Sequence, residues 1–131
     1  MSDYRKLRVW RKAHALAINA HRVANGIRGQ QYATFRNQII RSAMSVPTNI
    51  VEGRSQESEA SFARFLKISL ASLNELEYHL LAARDIAAIS VAAHLSLSSQ
   101  VETVRMMLHA LLRELRGVRD KAGSAPRKVN V

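Results

Sequence analysis

Five histidines, His14, His21, His79, His94 and His109, are the side chains in this 131-residue sequence most able to ligate a metal or carry a proton. A metal-binding bundle places His and Glu three or four residues apart on facing helices, so that several donors converge. No His-Glu-x-x-His pattern occurs, and no Glu is followed by His three residues later. Glu75 and His79, four apart, are more simply an intrahelical pair. Serines are plentiful, but none sits in a strand–turn–helix elbow with a visible base and orienting acid. Gly26-x-x-Gly29 has no Lys-Ser/Thr after it and follows a helix, unlike a phosphate loop. The chain contains no cysteine, which removes thiolate catalysis, disulfides and cysteine metal sites. The expectation is a protein without catalytic residues, metal or cofactor.

One polar run remains. Arg41, Ser45, Asn49 and Glu52 are spaced by four, four and three, so a helix puts them along one face. Ser69, Ser72 and Glu75 can face them from a later helix. One reading is a polar site. The other is structural: Pro47 disturbs the helix, and nearby hydroxyls, an amide and a carboxylate satisfy the buried polar groups. The structural reading is preferred, because small Ser and Gly residues at this seam also permit close helix approach.

The elements that must position these residues are helices. Apolar residues recur at helical spacing throughout, punctuated by only five Gly and two Pro. The first helix is expected over about Tyr4–Asn25, with Val9, Trp10, Ala13, Leu16, Ala17, Ala20, Val23 and Ala24 on one stripe and Gly26 and Gly29 ending it. The second is expected over about Gln31–Gly53, kinked or briefly broken at Pro47. Phe35, Ile39, Ser42, Val46, Asn49 and Gly53 form its seam. In the third, Phe62, Leu66, Ser69, Leu73, Leu76, Leu80, Ala83 and Ala87 alternate in steps of four and three, a bundle seam. Ser58 is its expected N-cap. The fourth repeats the pattern with Leu97, Val101, Val104, Leu108, Leu111 and Leu115. It starts either at Val91 behind Ser90 or at a capping box of Ser99 and Glu102, and the absence of a breaker in Val91-Ala92-Ala93 favours the former. Residues 1–117 therefore read as one antiparallel up-down-up-down four-helix bundle, and 118–131 as a flexible basic tail.

Charge locates the functional surface. Lys and Arg number 20 against 10 Asp and Glu, a net charge of +10, which attracts polyanions. Residues 1–41 carry nine Lys/Arg and one acid, whereas 42–90 carry four and six, and 91–131 carry seven and three. In an antiparallel bundle the start of helix one lies beside the end of helix four. Arg5, Lys6, Arg8, Arg11 and Lys12 are thus expected to converge with Arg113, Arg116, Arg119 and Lys121. Cations at the end of helix four suit its dipole, but those in the first turns of helix one oppose it. A second line on helix one, Leu7, Trp10, His14, Ile18 and His21, reads either as a subunit interface anchored by Trp10 or as part of a wide core face.

Three segments carry a family resemblance. Leu7-Arg8-Val9-Trp10-Arg11-Lys12-Ala13 resembles an opening L-x-V-W-x-x-A. The run from Gln38 to Gly53, with Arg41, Ala43, Ser45, Pro47, Asn49, Ile50 and Glu52, is similar to Q-hydrophobic-x-R-x-A-x-S-hydrophobic-P-x-N-I-x-E-G. Phe62 to Glu77 resembles F-x-R-F-L-x-I-A-x-G-S-L-x-E-L-E, with Ser69 and Ala71 standing for Ala and Gly. These are patterns of the bacterial 23S rRNA-intervening-sequence proteins, related to the accessory proteins of diversity-generating retroelements. The resemblance covers about residues 4–90; the fourth helix agrees in length and periodicity alone. It implies a four-helix bundle assembling as a ring, typically a pentamer, with a basic surface that can contact nucleic acid.

The expected function is non-catalytic binding of RNA or DNA backbones with little sequence preference, as an accessory to a nucleic-acid-processing partner. The alternative is a scaffold whose positive surface recruits an acidic protein. A signal-like apolar segment is not evident at the N-terminus, and the cytoplasm is the expected compartment, without membrane association.

Overall fold

The computed structural model describes residues 3–120, the last three as backbone only. Four α-helices form the protein: α1 (Arg8–Asn25), α2 (Ala33–Arg54), α3 (Glu59–Asp85) and α4 (Val91–Asp120). Each packs against its sequence neighbour, and α4 returns against α1 to close an antiparallel four-helix bundle. Asn19 Nδ2 donates to Gln100 Oε1 at 2.9 Å across that closing contact. Among the described residues no helix is long and apolar enough to cross a membrane.

Helix one is shorter than its periodicity predicts. Tyr4–Lys6 form a separate 3-10 turn, with Asp3 accepting from the Arg5 backbone N–H at 2.9 Å. Leu7 is extended (φ −76°, ψ 123°) and starts α1. The reason is helical phase. Continued as α-helix from Tyr4, Leu7 would lie beside Trp10 and His14 on the outer side; the extended residue swings it inward, where it is 3% exposed. Val9, Ala13, Leu16, Ala17, Ala20 and Ala24 follow it into the core.

The next connection turns at Gly29, whose φ of 105° is a conformation L side chains strain to adopt. Arg36 ties this loop to α2, its guanidinium donating to the Ile27 and Gly29 carbonyls at 2.8 and 3.0 Å. Gln30–Tyr32 are a 3-10 turn, so α2 begins at Ala33 and not at Gln31. It then runs without interruption to Arg54, with Pro47 inside it. No break occurs there.

Ser58 caps α3, accepting from the Ser61 N–H at 3.0 Å, and Glu59 sits favourably in the first turn. Phe62, Leu66, Ser69, Leu73, Leu76, Leu80 and Ala83 are buried along one seam. Ala87 is not on it. It lies beyond the helix end with φ 61°, in a turn where the Ala88 N–H reaches back to the Ala83 carbonyl at 2.8 Å. Ser90 caps α4 through the Ala93 N–H at 3.0 Å, which sets the start at Val91. All six of the expected apolar residues from Leu97 to Leu115 are buried. The helix continues through Gly117 to Asp120. The expected tail beyond Asp120 lies outside the described residues.

Gly53 shows how tight the α2–α3 contact is. A Cβ there would meet the Phe62 Cδ1 and Phe65 Cβ at 2.9 Å and the Phe62 carbonyl oxygen at 3.3 Å. In an open helix Gly→Ala stabilises by about 1 kcal/mol, whereas overpacking against fixed atoms costs about 1–3 kcal/mol. Gly53→Ala is therefore expected to lower stability by up to about 2 kcal/mol despite its better helix propensity. Urea unfolding of the two proteins checks this, and an unchanged or raised midpoint would contradict the close packing.

Candidate functional site

The polar run of α2 divides in two. Ser45 Oγ lies 2.7 Å from Ser72 Oγ, and Asn49 Nδ2 donates to the Ser45 carbonyl and hydroxyl oxygens at 2.8 and 3.0 Å. Ser69, fully buried, donates to the Val46 carbonyl at 2.8 Å, next to Pro47. Ser42 bonds back to the Gln38 and Ile39 carbonyls. These side chains satisfy one another and the backbone, as buried polar groups must be. Arg41, Glu52 and Glu75 stand outside this network, exposed. Their spacing puts them near the face but at its margin, where water solvates them. Glu75 instead reaches toward His79 on its own helix, Oε2 to Nε2 3.5 Å. Among the described residues no three His, Asp or Glu side chains gather as a metal site requires.

The basic end is assembled from both termini of the bundle. Arg8, Arg11 and Lys12 are exposed on the first turns of α1, where no acid accompanies them. Arg5 and Lys6 project from the preceding 3-10 turn and so bear less directly on the α1 dipole. Arg11 Nη1 donates to the Arg5 carbonyl at 3.0 Å, bracing the turn against the helix. Arg8 and Arg113 line one surface groove of about 570 Å³ with Met106 and Met107. Arg113 and Arg116 line a second, of about 480 Å³, with Lys67 and Glu59 of α3. Of the cations expected to converge, Arg8 and Arg113 share a groove. The side chain of Arg119 and all of Lys121 lie outside the described residues.

Two basic residues gain meaning only in the tertiary structure. Lys67 joins the Arg113–Arg116 groove from α3, although nothing in its sequence surroundings marks it. Arg105 is neutralised: it donates to Glu102 at 2.8 Å, to Glu77 at 2.8 Å and to Asn74 at 3.0 Å, bridging α3 and α4. Its contribution is to packing between helices.

On the outer line of α1, Trp10 is half-buried against the core, its ring stacked on His14 (centroids 4.9 Å, planes 9° apart). Tyr4 meets the Trp10 ring edge-on at 5.0 Å. His14 is exposed, while Ile18 and His21 are half-buried, His21 Nδ1 accepting from Asn25 at 3.3 Å. Leu7 does not belong to this line, because its extended backbone delivers it to the core.

Together the architecture and this charged end define a basic four-helix-bundle protein. The chain belongs to the 23S rRNA-intervening sequence protein family, whose pattern matches residues 5–110. Its fold is similar to the crystal structure of a protein of unknown function from the S23 ribosomal protein family of Bacteroides thetaiotaomicron VPI-5482. That likeness has a TM-score of 0.75 at 24% identity, over 80% of this chain and 98% of the other. No curated protein matches the chain at a significant level.

The patch carries its own counter-ion. Arg5 Nε and Nη2 donate to Asp3 at 3.0 and 3.1 Å. Hydrogen bonds from the Arg5 side chain, then from its backbone N–H, hold the Asp3 carboxyl below the usual carboxylate value, and the same pairing raises the Arg5 guanidinium. A carboxyl lowered on folding contributes stability above its unfolded pKa and loses it as pH falls through the folded value. Because both groups are exposed, the effect on global stability is small. In an NMR titration Arg5→Ser is expected to return the Asp3 midpoint to the ordinary range; a midpoint that stays depressed would show that Arg5 is not the cause.

Proposed function

We propose that this protein is a non-catalytic, oligomeric bundle that binds RNA or DNA backbones in the cytoplasm with little sequence preference, as an accessory to a nucleic-acid-processing partner. The observation that carries this reading is the meeting of Arg8 with Arg113 on one groove, with Arg11 and Lys12 exposed on the same turns of α1 and Arg116 exposed on the last turns of α4. Between Asp3 and Glu52 the sequence holds nine Lys/Arg and no acid, so the carboxylates near the α1 cations come from outside that stretch: Asp3 at Arg5, and Glu102 in the groove with Arg8. Guanidinium groups bond phosphate oxygens bidentately, and such contacts position a backbone without reading bases. Aromatic residues amount to 5% of the chain, too few for an extended base-stacking surface.

Oligomerisation belongs to the same proposal. The Trp10–His14 stack with half-buried Ile18 and His21 forms an apolar line that a neighbouring subunit would cover, and indoles anchor such contacts. A ring, pentameric as the family resemblance implies, repeats the basic end about one axis and raises its effective concentration for a polyanion. A bend of α2 at Pro47 is also proposed, since the Ala43 carbonyl loses its usual amide partner there.

Affinity for random-sequence RNA is expected to fall steeply between about 50 and 200 mM salt, the log–log slope growing by about 0.7–0.9 per phosphate contacted. Replacing Arg5, Lys6, Arg8, Arg11 and Lys12 together by Ser should abolish binding with helicity unchanged. Absence of binding at the lowest salt would refute the proposal. Trp10→Ala should shift the native particle mass toward that of one chain, measured by light scattering; an intact oligomer would move the interface elsewhere.

A further inference from the structure

The groove between α3 and α4 has a property that phosphate binding does not use. Its floor is apolar, formed by Ala63, Leu70, Leu112 and buried Leu115. Its rim is cationic, with Lys67 on one side and Arg113 and Arg116 on the other, all exposed. On α3 the lining residues fall at Glu59, Ala63, Lys67 and Leu70; on α4 they fall at His109, Leu112, Arg113, Leu115 and Arg116. Both sets follow the three-and-four spacing of a helix face, so the groove runs along the two helices for about 10 Å, roughly two turns.

We infer that this groove docks an acidic amphipathic helix of a partner protein. Leu70 and Leu112 are half-buried, and only an apolar surface laid over them completes their removal from water. A nucleic-acid backbone presents charged oxygens outward and has no such face. A helix with Leu-type residues at i, i+3, i+4 and i+7 fills the floor, and carboxylates flanking that stripe meet Lys67, Arg113 and Arg116. Ala63 gives the space, since its small side chain lets a partner backbone come near α3. Glu59 lies at the Arg116 end of the groove because α3 and α4 are antiparallel. The partner residue facing it is therefore neutral or cationic, which sets the direction in which the helix lies. This inference is independent of the α1 cations and stands whether or not they bind nucleic acid.

The test is fluorescence anisotropy of the full-length protein with a labelled synthetic helix of about 15 residues, leucines on one stripe and glutamates beside it. A scrambled peptide of the same composition is the control. Binding is expected at a Kd on the order of micromolar, with the scrambled peptide at least about tenfold weaker. Lys67→Glu should weaken binding about tenfold, and Ala63→Trp, which fills the floor, should abolish it. The five-Ser α1 variant should bind the peptide as the parent does. Equal binding of the scrambled peptide would reduce the groove to plain charge attraction and overturn the inference. So would displacement by short single-stranded RNA together with indifference to Ala63→Trp, or no binding of the designed peptide at all. Should Ala63→Trp disturb helicity, Lys67→Glu, at an exposed position, still decides the outcome.

Discussion

Helices α2 and α3 can lie side by side only where their side chains are small, and the residues between them meet that demand. Gly53 passes against Phe62 and Phe65 with no room for a methyl group, and Ser42, Ser69 and Ser72 occupy buried positions that larger residues would wedge apart. Close approach leaves polar atoms without water, so the same serines must also provide hydrogen bonds. Ser69 does so across the seam to the Val46 carbonyl, and Ser72 to Ser45. Pro47 is tolerated within this contact, because its ring is buried among the packed residues while hydroxyls supply donors around it. Axial register between the two helices follows from these points, and with it the place where α3 starts and the side on which Lys67 emerges.

From that register the bundle closes so that α1 begins beside the end of α4, which sets like charges together. The arrangement is unfavourable locally. A cation in the first turn of a helix costs about 0.3–1 kcal/mol at low ionic strength. Burial of a large aliphatic side chain contributes about 1.5–3 kcal/mol, and Leu7, Val9 and Leu16 are all buried in or just before α1. Packing therefore outweighs repulsion, and α1 exists because the core holds it. Asp3 relieves the repulsion at Arg5 alone. A surface whose charge is kept at the expense of its own helix is suited to an anionic partner.

The last turns of α4 form a ridge between two grooves, and Arg113 belongs to both. One groove includes Arg8 of α1 and is lined partly by Met106 and Met107, while the other adjoins Lys67 and is floored by leucines and Ala63. Under the proposed function charge would draw a polyanion to this end from a distance, and the proposed docking on the apolar floor would distinguish among those that arrive. Arg105, by contrast, lines the first groove beside Arg8 and Arg113 but has its charge paired with Glu77 and Glu102.

Sequence periodicity determined four helices, their apolar faces, the caps at Ser58 and Ser90 and the burial of Leu97 through Leu115, since each depends on spacing within one element. It also placed the two basic clusters at one end, because antiparallel order follows from short connections. What only the tertiary structure decided is whatever depends on how one helix is rotated and shifted against another. Leu7 leaves the outer line for the core through a single extended residue, which a helical count cannot anticipate. Arg41, Glu52 and Glu75 fall to the margin of a face whose centre is Ser45, Asn49 and Ser72. Lys67 joins Arg113 and Arg116, and Arg105 is paired with Glu77 of α3, because α3 meets α4 at a particular axial offset. That offset is set by the shapes packed between the helices, and spacing along a single chain segment carries no measure of it.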